Sequence, residues 1–172
     1  FKDWNLQDDS EYVHITSNET IGGVEFHWDP DTKNVPLVSD MSSHFLSRPI
    51  NISKYGIIYA GAQKNVGPVG LTIVIIRNDL IGRAQRDLPN MYSYKVFSES
   101  DSMSNTPPCY SIYISGLVFQ WLNRLGGLKT MEEINIYKAN LLYDYLDSTA
   151  FYKSPVEKDC RSRMNIPFQI HD

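Results

Sequence analysis

The chain has 172 residues, of which 42% are apolar and 21% are charged, and its formal net charge is −4. This composition is typical of a soluble globular protein and excludes a disordered chain. The sixteen basic residues are scattered and show no basic-plus-aromatic signature, which argues against nucleic acid as a partner. The longest apolar stretches have the length of strands, so we expect no segment that crosses a membrane.

The first part of the chain predicts short strands separated by polar loops. YVHITS, residues 12–17, and PLVSD, residues 36–40, have the pattern of strands. NETIGG, residues 18–23, predicts a turn-rich loop, and GVEFHW after it predicts a short extended piece. The stretch that follows Asp40, MSSHFLSRPINISK, has no clear period and predicts a long connection.

Two apolar segments give the strongest strand predictions. They are YGIIYAGAQ, residues 55–63, and VGLTIVIIR, residues 69–77, and Lys64 lies in the glycine- and proline-rich turn between them. The next segment, residues 78–89, predicts a helix of modest length with Asn78 as its N-cap.

Two long helices are predicted next. The first opens at Pro107–Pro108 and ends at Gly126–Gly127, because proline is tolerated in a first turn and glycine closes a helix. The second begins with the capping-box spacing of Thr130 and Glu133. The apolar stripes predicted to face inward are Ile114, Leu117, Val118, Trp121, Leu122 and Leu125 in the first helix, and Ile134, Leu141, Leu142, Tyr145 and Leu146 in the second.

A lysine between two buried strands needs an explanation, since burying its charge is costly. Desolvation and nearby positive charge lower the pKa of such an amine, and a neutral Lys64 is then able to attack an aldehyde such as pyridoxal phosphate. Gly61, Gly67 and Gly70 would let the backbone approach a bulky cofactor. The alternative is a lysine that extends from a hairpin turn into solvent.

Asp40 stands at the end of a predicted strand, where ligands bind in open α/β sheets. A carboxylate there is suited to pair with the protonated ring nitrogen of pyridoxal phosphate. The alternative is an aspartate that starts a loop and binds the backbone amides of Ser42 or Ser43.

Neither cysteine nor histidine residues predict a metal site. Cys109 and Cys160 are far apart and are interpreted as free thiols in a reducing compartment. The histidines form no HExxH or HxH pair, which makes a zinc site improbable; they are His14, His27, His44 and His171. The chain starts at Phe1 instead of a methionine, so we expect it to be an internal piece of a longer protein.

The run DMSSHFLSRPINISKYGIIYAGAQKNVGPVG, with NET upstream and SMSNTPPCYSIY downstream, resembles the phosphoserine aminotransferase family. The resemblance covers essentially the whole chain, and the family is about twice as long. It implies an α/β fold: a partial large pyridoxal-phosphate-binding domain over residues 1–127, with a mostly parallel mixed sheet flanked by helices. Residues 128–172 would then be a connecting helix and the beginning of a small C-terminal α+β domain.

The resemblance also implies roles for individual residues. Lys64 matches the lysine that binds the cofactor and moves the proton, and Asp40 matches the carboxylate at the pyridine nitrogen. Thr20 matches the hydroxyl near the phenolic oxygen, Gln63 a ligand of the cofactor phosphate, and Ser42 a weaker candidate for the same shell. Each has a simpler alternative as a turn or loop residue.

Asn105 and Thr106 match residues that reach the cofactor phosphate of the neighbouring subunit, and the simpler alternative is that they cap the following helix. The family's active sites are shared across a homodimer in the cytoplasm. The implied reaction moves an amino group from glutamate to 3-phosphohydroxypyruvate.

Two rival hypotheses stay open at this point. One is another enzyme of the same fold, such as a different small-substrate aminotransferase or a cysteine desulfurase. The other is a non-catalytic protein that keeps part of the fold as a dimerisation module.

Overall fold

The computed structural model describes residues 4, 6–7, 9–84 and 86–170 of the chain; His171 lies outside these ranges. The strands are β1 (Val13–Thr16), β2 (Asn18–Glu19), β3 (Val24–Glu25), β4 (Leu37–Asp40), β5 (Ile57–Gly61), β6 (Thr72–Ile76), β7 (Tyr152–Lys153) and β8 (Gln169–Ile170). The helices are α1 (Ala62–Asn65), α2 (Tyr94–Glu99), α3 (Cys109–Leu125) and α4 (Gly127–Asp147).

The main sheet has the strand order β1-β4-β5-β6. β1, β4 and β5 are parallel, whereas β6 runs antiparallel to β5 and returns the chain after α1. Two small antiparallel pairs, β2-β3 and β7-β8, stand beside it. The predicted α/β class with a mixed, mostly parallel sheet is therefore confirmed.

One face of this sheet carries the core, because alternate residues of each strand point to the same side. The largest buried cluster contains Ile15, Leu37, Met41, Phe45, Tyr55, Ile58, Ala60, Ala62 and Val66. Asp40 has the opposite parity to the buried pair Leu37 and Ser39, so it lies on the less buried face of β4.

The helix predicted over residues 78–89 is wrong. Only a 3₁₀ turn, Asn78–Leu80, forms there, and its N-cap is Arg77, not Asn78. The turn cannot continue as a helix because Gly82 adopts a left-handed φ of 80°. Asp79 instead receives hydrogen bonds from the guanidinium groups of Arg77 and Arg83, which stabilise the local bend.

The two long helices are confirmed, but α4 begins earlier than predicted. α3 starts after Pro108 and ends at Gly126, whose φ of 112° is left-handed. α4 then begins at Gly127, so Thr130 lies inside the helix. Its hydroxyl donates to the Gly126 carbonyl at 3.4 Å and does not act as an N-cap.

The inward faces of both helices were predicted only in part. Leu122 and Leu146 are buried as expected, whereas Trp121 and Leu141 are 53% and 63% exposed. The side chains that are actually buried are Ser111, Ser115 and Leu122 in α3, and Asn135, Ala139, Tyr143 and Leu146 in α4. An apolar stripe wider than the buried face leaves apolar side chains on the surface.

Residues 4–170, with the gaps given above, contain no helix that is both long and apolar enough to cross a bilayer. The same residues hold no cluster of three or more His, Cys, Asp or Glu side chains arranged for a metal ion.

Candidate active site

Lys64, Asp40 and Thr20 meet at one edge of the main sheet. Asp40 is the last residue of β4, and Lys64 lies in α1, directly after β5. Because β4 and β5 are parallel neighbours, their carboxyl ends open at the same edge, where open α/β sheets bind ligands. Thr20 follows β2, and a single residue, Ser17, separates β2 from the end of β1.

The amine of Lys64 is held by one described contact. Its Nζ donates to Oγ1 of Thr20 at 2.7 Å. The prediction that Lys64 is buried is wrong for this chain, since its side chain is exposed. The single turn of α1 directs Ala62 and Val66 into the core, at 0% and 2% exposure, and therefore turns the intervening lysine outward.

The two carboxylate oxygens of Asp40 have different surroundings. Oδ1 accepts a hydrogen bond from the backbone N–H of Ser42 at 2.8 Å, as the loop-starting alternative predicts. Oδ2 has no hydrogen-bond partner within the described residues, and the side chain is only half-buried. One oxygen therefore fixes the carboxylate while the other stays available to a ligand.

Ser42 and Gln63 lie on either side of Gly61. Ser42 Oγ accepts the backbone N–H of Gly61 at 2.9 Å, so it braces the end of β5. The exposed Gln63 side chain folds back over Gly61, where an added Cβ would lie 2.9 Å from its amide atoms. These contacts hold the entrance to α1 in a compact shape.

Gly67 has a packing role that the sequence did not predict. A Cβ at this position would lie 2.5 Å from Oγ of Ser115 in α3. The close approach on this side of Gly67 is therefore to a helix of the same chain, and the suggestion that this glycine makes room for a cofactor stays a prediction.

Asn105 and Thr106 are exposed in the loop before α3. No hydrogen bond joins them to Lys64, Thr20 or Asp40 in the part of the chain that the structure describes. The alternative that they cap α3 is wrong, because the N-cap is Pro108 and no side chain caps the helix.

Sequence reasoning missed the role of Glu19. Its carboxylate accepts the backbone N–H groups of Ile21, at 3.2 Å, and Gly22. It thereby clamps the turn that presents Thr20 to Lys64. The available signal was an acidic residue immediately before a turn that ends in two glycines.

A buried polar cluster beneath Asp40 was also missed. His44, Ser17 and Ser39 are 1%, 2% and 0% exposed, and their side chains are hydrogen-bonded to one another. No local pattern indicates this cluster, because its members come from the residue after β1, from β4 and from the connection that follows β4.

The chain belongs to the class V aminotransferase family, whose sequence pattern matches residues 2–172. Among curated relatives, the phosphoserine aminotransferase of Janthinobacterium sp. (strain Marseille) is 60% identical over 169 residues, which cover 98% of this chain and 47% of the relative. The resemblance to phosphoserine aminotransferases seen in the sequence is thus confirmed.

Solved structures agree with this assignment. The phosphoserine aminotransferase of Bacillus circulans subsp. alkalophilus is 46% identical with a TM-score of 0.94, over 97% of this chain and 46% of that one. The pyridoxal-phosphate-bound enzyme of Trichomonas vaginalis is 41% identical with a TM-score of 0.93, over 97% of this chain and 49% of that one. The chain therefore spans about half the length of the relatives it matches.

Proposed function

We propose that a polypeptide of the relatives' length that carries this sequence is a pyridoxal-phosphate-dependent transaminase. It moves the amino group of glutamate to 3-phosphohydroxypyruvate and yields O-phosphoserine and 2-oxoglutarate, a step of serine biosynthesis. The observation that carries the proposal is the contact of 2.7 Å between Lys64 Nζ and Thr20 Oγ1, at the same sheet edge as Asp40, the last residue of β4. It occurs in a chain that is 60% identical to a phosphoserine aminotransferase.

The residues present fit the cofactor. An accessible primary amine, a carboxylate with one uncommitted oxygen and a hydroxyl group converge on one sheet edge. These are the groups needed to bind the aldehyde, the ring nitrogen and the phenolic oxygen of pyridoxal phosphate. When bound, this cofactor supplies an electron-withdrawing ring that makes the Cα proton of an amino acid removable.

Lys64 has two tasks in this proposal. With the cofactor bound, its Nζ would hold the aldehyde group, and as a free amine it would carry the proton removed from the substrate Cα. Thr20 Oγ1, which accepts the Nζ hydrogen bond, orients the amine for both tasks. Proton transfer by a positioned side chain typically accelerates a reaction by about 10²- to 10⁴-fold.

Asp40 would pair with the ring nitrogen of the cofactor, and its negative charge would favour the protonated ring, while the Ser42 N–H fixes Oδ1 and leaves Oδ2 available. Gln63 contributes to the phosphate site, and Ser42 supports the shell by bracing Gly61. Lys64, next to Gln63, is exposed in this chain. We therefore expect that further polypeptide covers the site in the complete enzyme and excludes water from it.

Asn105 and Thr106 are assigned to the cofactor phosphate of a second subunit, in a cytoplasmic homodimer. Their exposure, and their lack of contact with Lys64 or Asp40 among the described residues, support a role outside the site of their own chain. The domain division between residues 127 and 128 also stays a proposal; it falls after the first residue of α4, beside the left-handed pair Gly126 and Gly127.

An amino-transfer assay with the complete polypeptide tests the proposal. We expect O-phosphoserine to form from glutamate and 3-phosphohydroxypyruvate, and Lys64→Arg to lose at least about 10²-fold in rate because it removes the proton carrier. Lys54→Arg, which changes another lysine whose ammonium group pairs with Asp29 at 3.1 Å, serves as the control. Amino transfer to 3-phosphohydroxypyruvate at the wild-type rate in Lys64→Arg would refute the proposal.

A further inference from the structure

The buried cluster beneath Asp40 connects a histidine to the main chain of that residue. His44 Nε2 lies 2.7 Å from Ser17 Oγ, and Ser39 Oγ donates to the same oxygen at 2.9 Å. Ser17 in turn donates from both Oγ and its backbone N to the carbonyl oxygen of Asp40, each at 3.1 Å. The position of Asp40 is therefore linked to His44 through one serine.

The hydrogen bonds of Ser17 determine which nitrogen of His44 carries the proton. The single hydroxyl proton of Ser17 points to the Asp40 carbonyl, and the proton of Ser39 points to Ser17. His44 Nε2 must then be the donor to Ser17 Oγ. With the reverse assignment, the contact between Ser17 Oγ and the Asp40 carbonyl would have no proton, and a buried N–H at Nδ1 would have no acceptor among the described residues.

The other ring nitrogen explains why the ring stays neutral. His44 Nδ1 is buried and has no hydrogen-bond partner among the described residues. A second proton there would have no acceptor. Burial lowers the pKa of His44 to about 4, and among the surrounding charges Glu25 and Asp40 raise it while Arg48 and His27 lower it.

We propose that His44 is a positioning residue for the ring-nitrogen contact of Asp40: as a neutral Nε2–H imidazole, it holds Ser17, and through Ser17 the main chain of Asp40, in place. The role of Asp40 in this inference rests on the proposed function, whereas the protonation state of the His44 imidazole does not. The Lys64–Thr20 contact orients the amine, whereas the His44 cluster positions Asp40.

The main chain of Asp40 is paired with Thr16 of β1 on one side and with Tyr59 of β5 on the other, and the Ser17 hydroxyl adds a further bond on the β1 side. The Ser42 N–H fixes the carboxylate oxygen Oδ1, and the N–H of Met41 binds the carbonyl of Tyr59 on β5. On the β1 side, Ser17 supplies both hydrogen bonds to the Asp40 carbonyl. Loss of the Ser17 hydroxyl would leave the Asp40 carbonyl with only the Ser17 backbone N–H on this side, which would loosen the end of β4 against β1 and move Oδ2 with it.

The state of the ring is tested by ¹⁵N NMR of the His44 imidazole in the purified protein. We expect a protonated Nε2 and an unprotonated Nδ1 from pH 8 down to about pH 5, since the pKa lies near 4. A proton on Nδ1 in this range would overturn the inference. This result does not depend on any cofactor.

The positioning role is tested in the complete polypeptide titrated with pyridoxal 5′-phosphate. His44→Leu removes the donor, whereas His44→Gln keeps an amide N–H at a similar reach. We expect His44→Leu to weaken cofactor binding about tenfold, the size of coupling within one hydrogen-bond network, and to shift the pH midpoint of the bound cofactor's visible absorption. His44→Gln should restore both, which a purely structural role would not require.

Ser17→Ala provides a second route if His44→Leu does not fold, and it should shift the same midpoint. Ser115→Ala deletes a buried hydroxyl in α3, away from the cluster, and should leave the midpoint unchanged. A wild-type midpoint and affinity in His44→Leu or Ser17→Ala would overturn the positioning role. Wild-type protein that attaches no cofactor at Lys64 would instead overturn the proposed function.

Discussion

At the scale of single residues, Asp40 separates two tasks between its carboxylate oxygens. We predict that Asp40→Asn keeps the Ser42 N–H bond to Oδ1 but loses the charge that holds the ring nitrogen protonated. Cofactor should still attach to Lys64, whereas turnover should fall about 10²- to 10³-fold, as when one preorganised electrostatic contact is removed. Steady-state rates and visible absorption measure the two effects separately.

Asp31→Asn is the matched control, because Asp31 accepts a backbone N–H, from Lys33, in an exposed loop away from the site. It should keep wild-type turnover. Wild-type turnover in Asp40→Asn would rule out the role of the carboxylate at the ring.

His44 predicts how stability depends on pH. Burial lowers its pKa from 6.5 to about 4, so the unfolded chain binds a proton below pH 6.5 that the folded chain does not accept until about pH 4. Stability is therefore full above pH 6.5 and falls as the pH decreases towards 4. At 1.36 kcal/mol per pKa unit, the loss approaches about 3 kcal/mol.

Urea unfolding of wild type and His44→Gln between pH 8 and 4 measures this effect as a difference, which cancels the titration of the carboxylates common to both proteins. The free energy of unfolding of the wild type should decrease relative to the variant below pH 6.5. A difference that is independent of pH would contradict the buried neutral ring.

The sequence allowed the functional residues to be proposed but not their surroundings. Lys64 and Asp40 stood out because charged side chains at the ends of apolar strands need a reason. The exposure of Lys64 was mispredicted because the residues after Gly61 form a helical turn, whose periodicity differs from that of a strand. The partner of the Asp40 carbonyl, Ser17, is 23 positions away in the sequence and has no local signature.

At the scale of elements, the contact between Gly67 and α3 makes a sharp prediction. Gly67→Ala places a Cβ at 2.5 Å from Ser115 Oγ, so the Ser115 side chain must rotate or the loop or the helix must shift. We expect a loss of about 1–3 kcal/mol in the free energy of unfolding, as for other overpacked contacts. Thermal or urea unfolding measures it.

The structure offers two controls for this variant. Gly116→Ala adds a methyl group within α3 with no heavy atom inside 4 Å, and should stabilise by about 0.5–1 kcal/mol through helix propensity. Ser115→Ala removes the clashing oxygen. The nearest atoms that remain, Cα and Cβ of residue 115, lie 3.5 Å from the new Cβ. The double variant Gly67→Ala/Ser115→Ala should recover most of the free energy of unfolding that Gly67→Ala loses. If the effects of the two single changes simply add, the packing account is contradicted.

Element prediction succeeded where composition and boundaries agreed. β5, β6 and α3 were predicted because runs of β-branched residues and the Pro–Pro and Gly–Gly boundaries all indicate the same element. The segment 78–89 failed because its arginine–aspartate contacts and the left-handed Gly82 outweigh helix propensity. α4 began early because Gly126 serves both to end α3 and to start α4.

At the scale of the whole molecule, the long helices leave a broad apolar surface. The exposed members on α3 and α4 include Tyr110, Tyr113, Trp121, Tyr137, Leu141 and Tyr145, which are between 53% and 72% exposed. Together with the exposed Lys64, this surface indicates that the 172 residues alone do not form a closed site. We predict that equilibrium dialysis finds weak binding of pyridoxal phosphate to the isolated chain and tight binding to the complete polypeptide. Equal affinities would contradict this view.

Long-range topology was the part that sequence reasoning could not reach. Asn18 is buried and binds Ser162, at a separation of 144 residues, so the C-terminal segment packs beside the turn that carries Thr20. Glu25, also buried, accepts the Arg48 guanidinium and the backbone N–H of Arg163. Contacts of this kind follow from which strands become neighbours, and the sheet order is not written in any local pattern.

The most direct test identifies the lysine that binds the cofactor. The complete polypeptide is loaded with pyridoxal 5′-phosphate, reduced with borohydride, digested and examined by mass spectrometry. If the amine after β5 is the one that captures the aldehyde, the added mass will be found on the peptide that contains Lys64. Label distributed over surface lysines, or confined to a different lysine, would contradict the account.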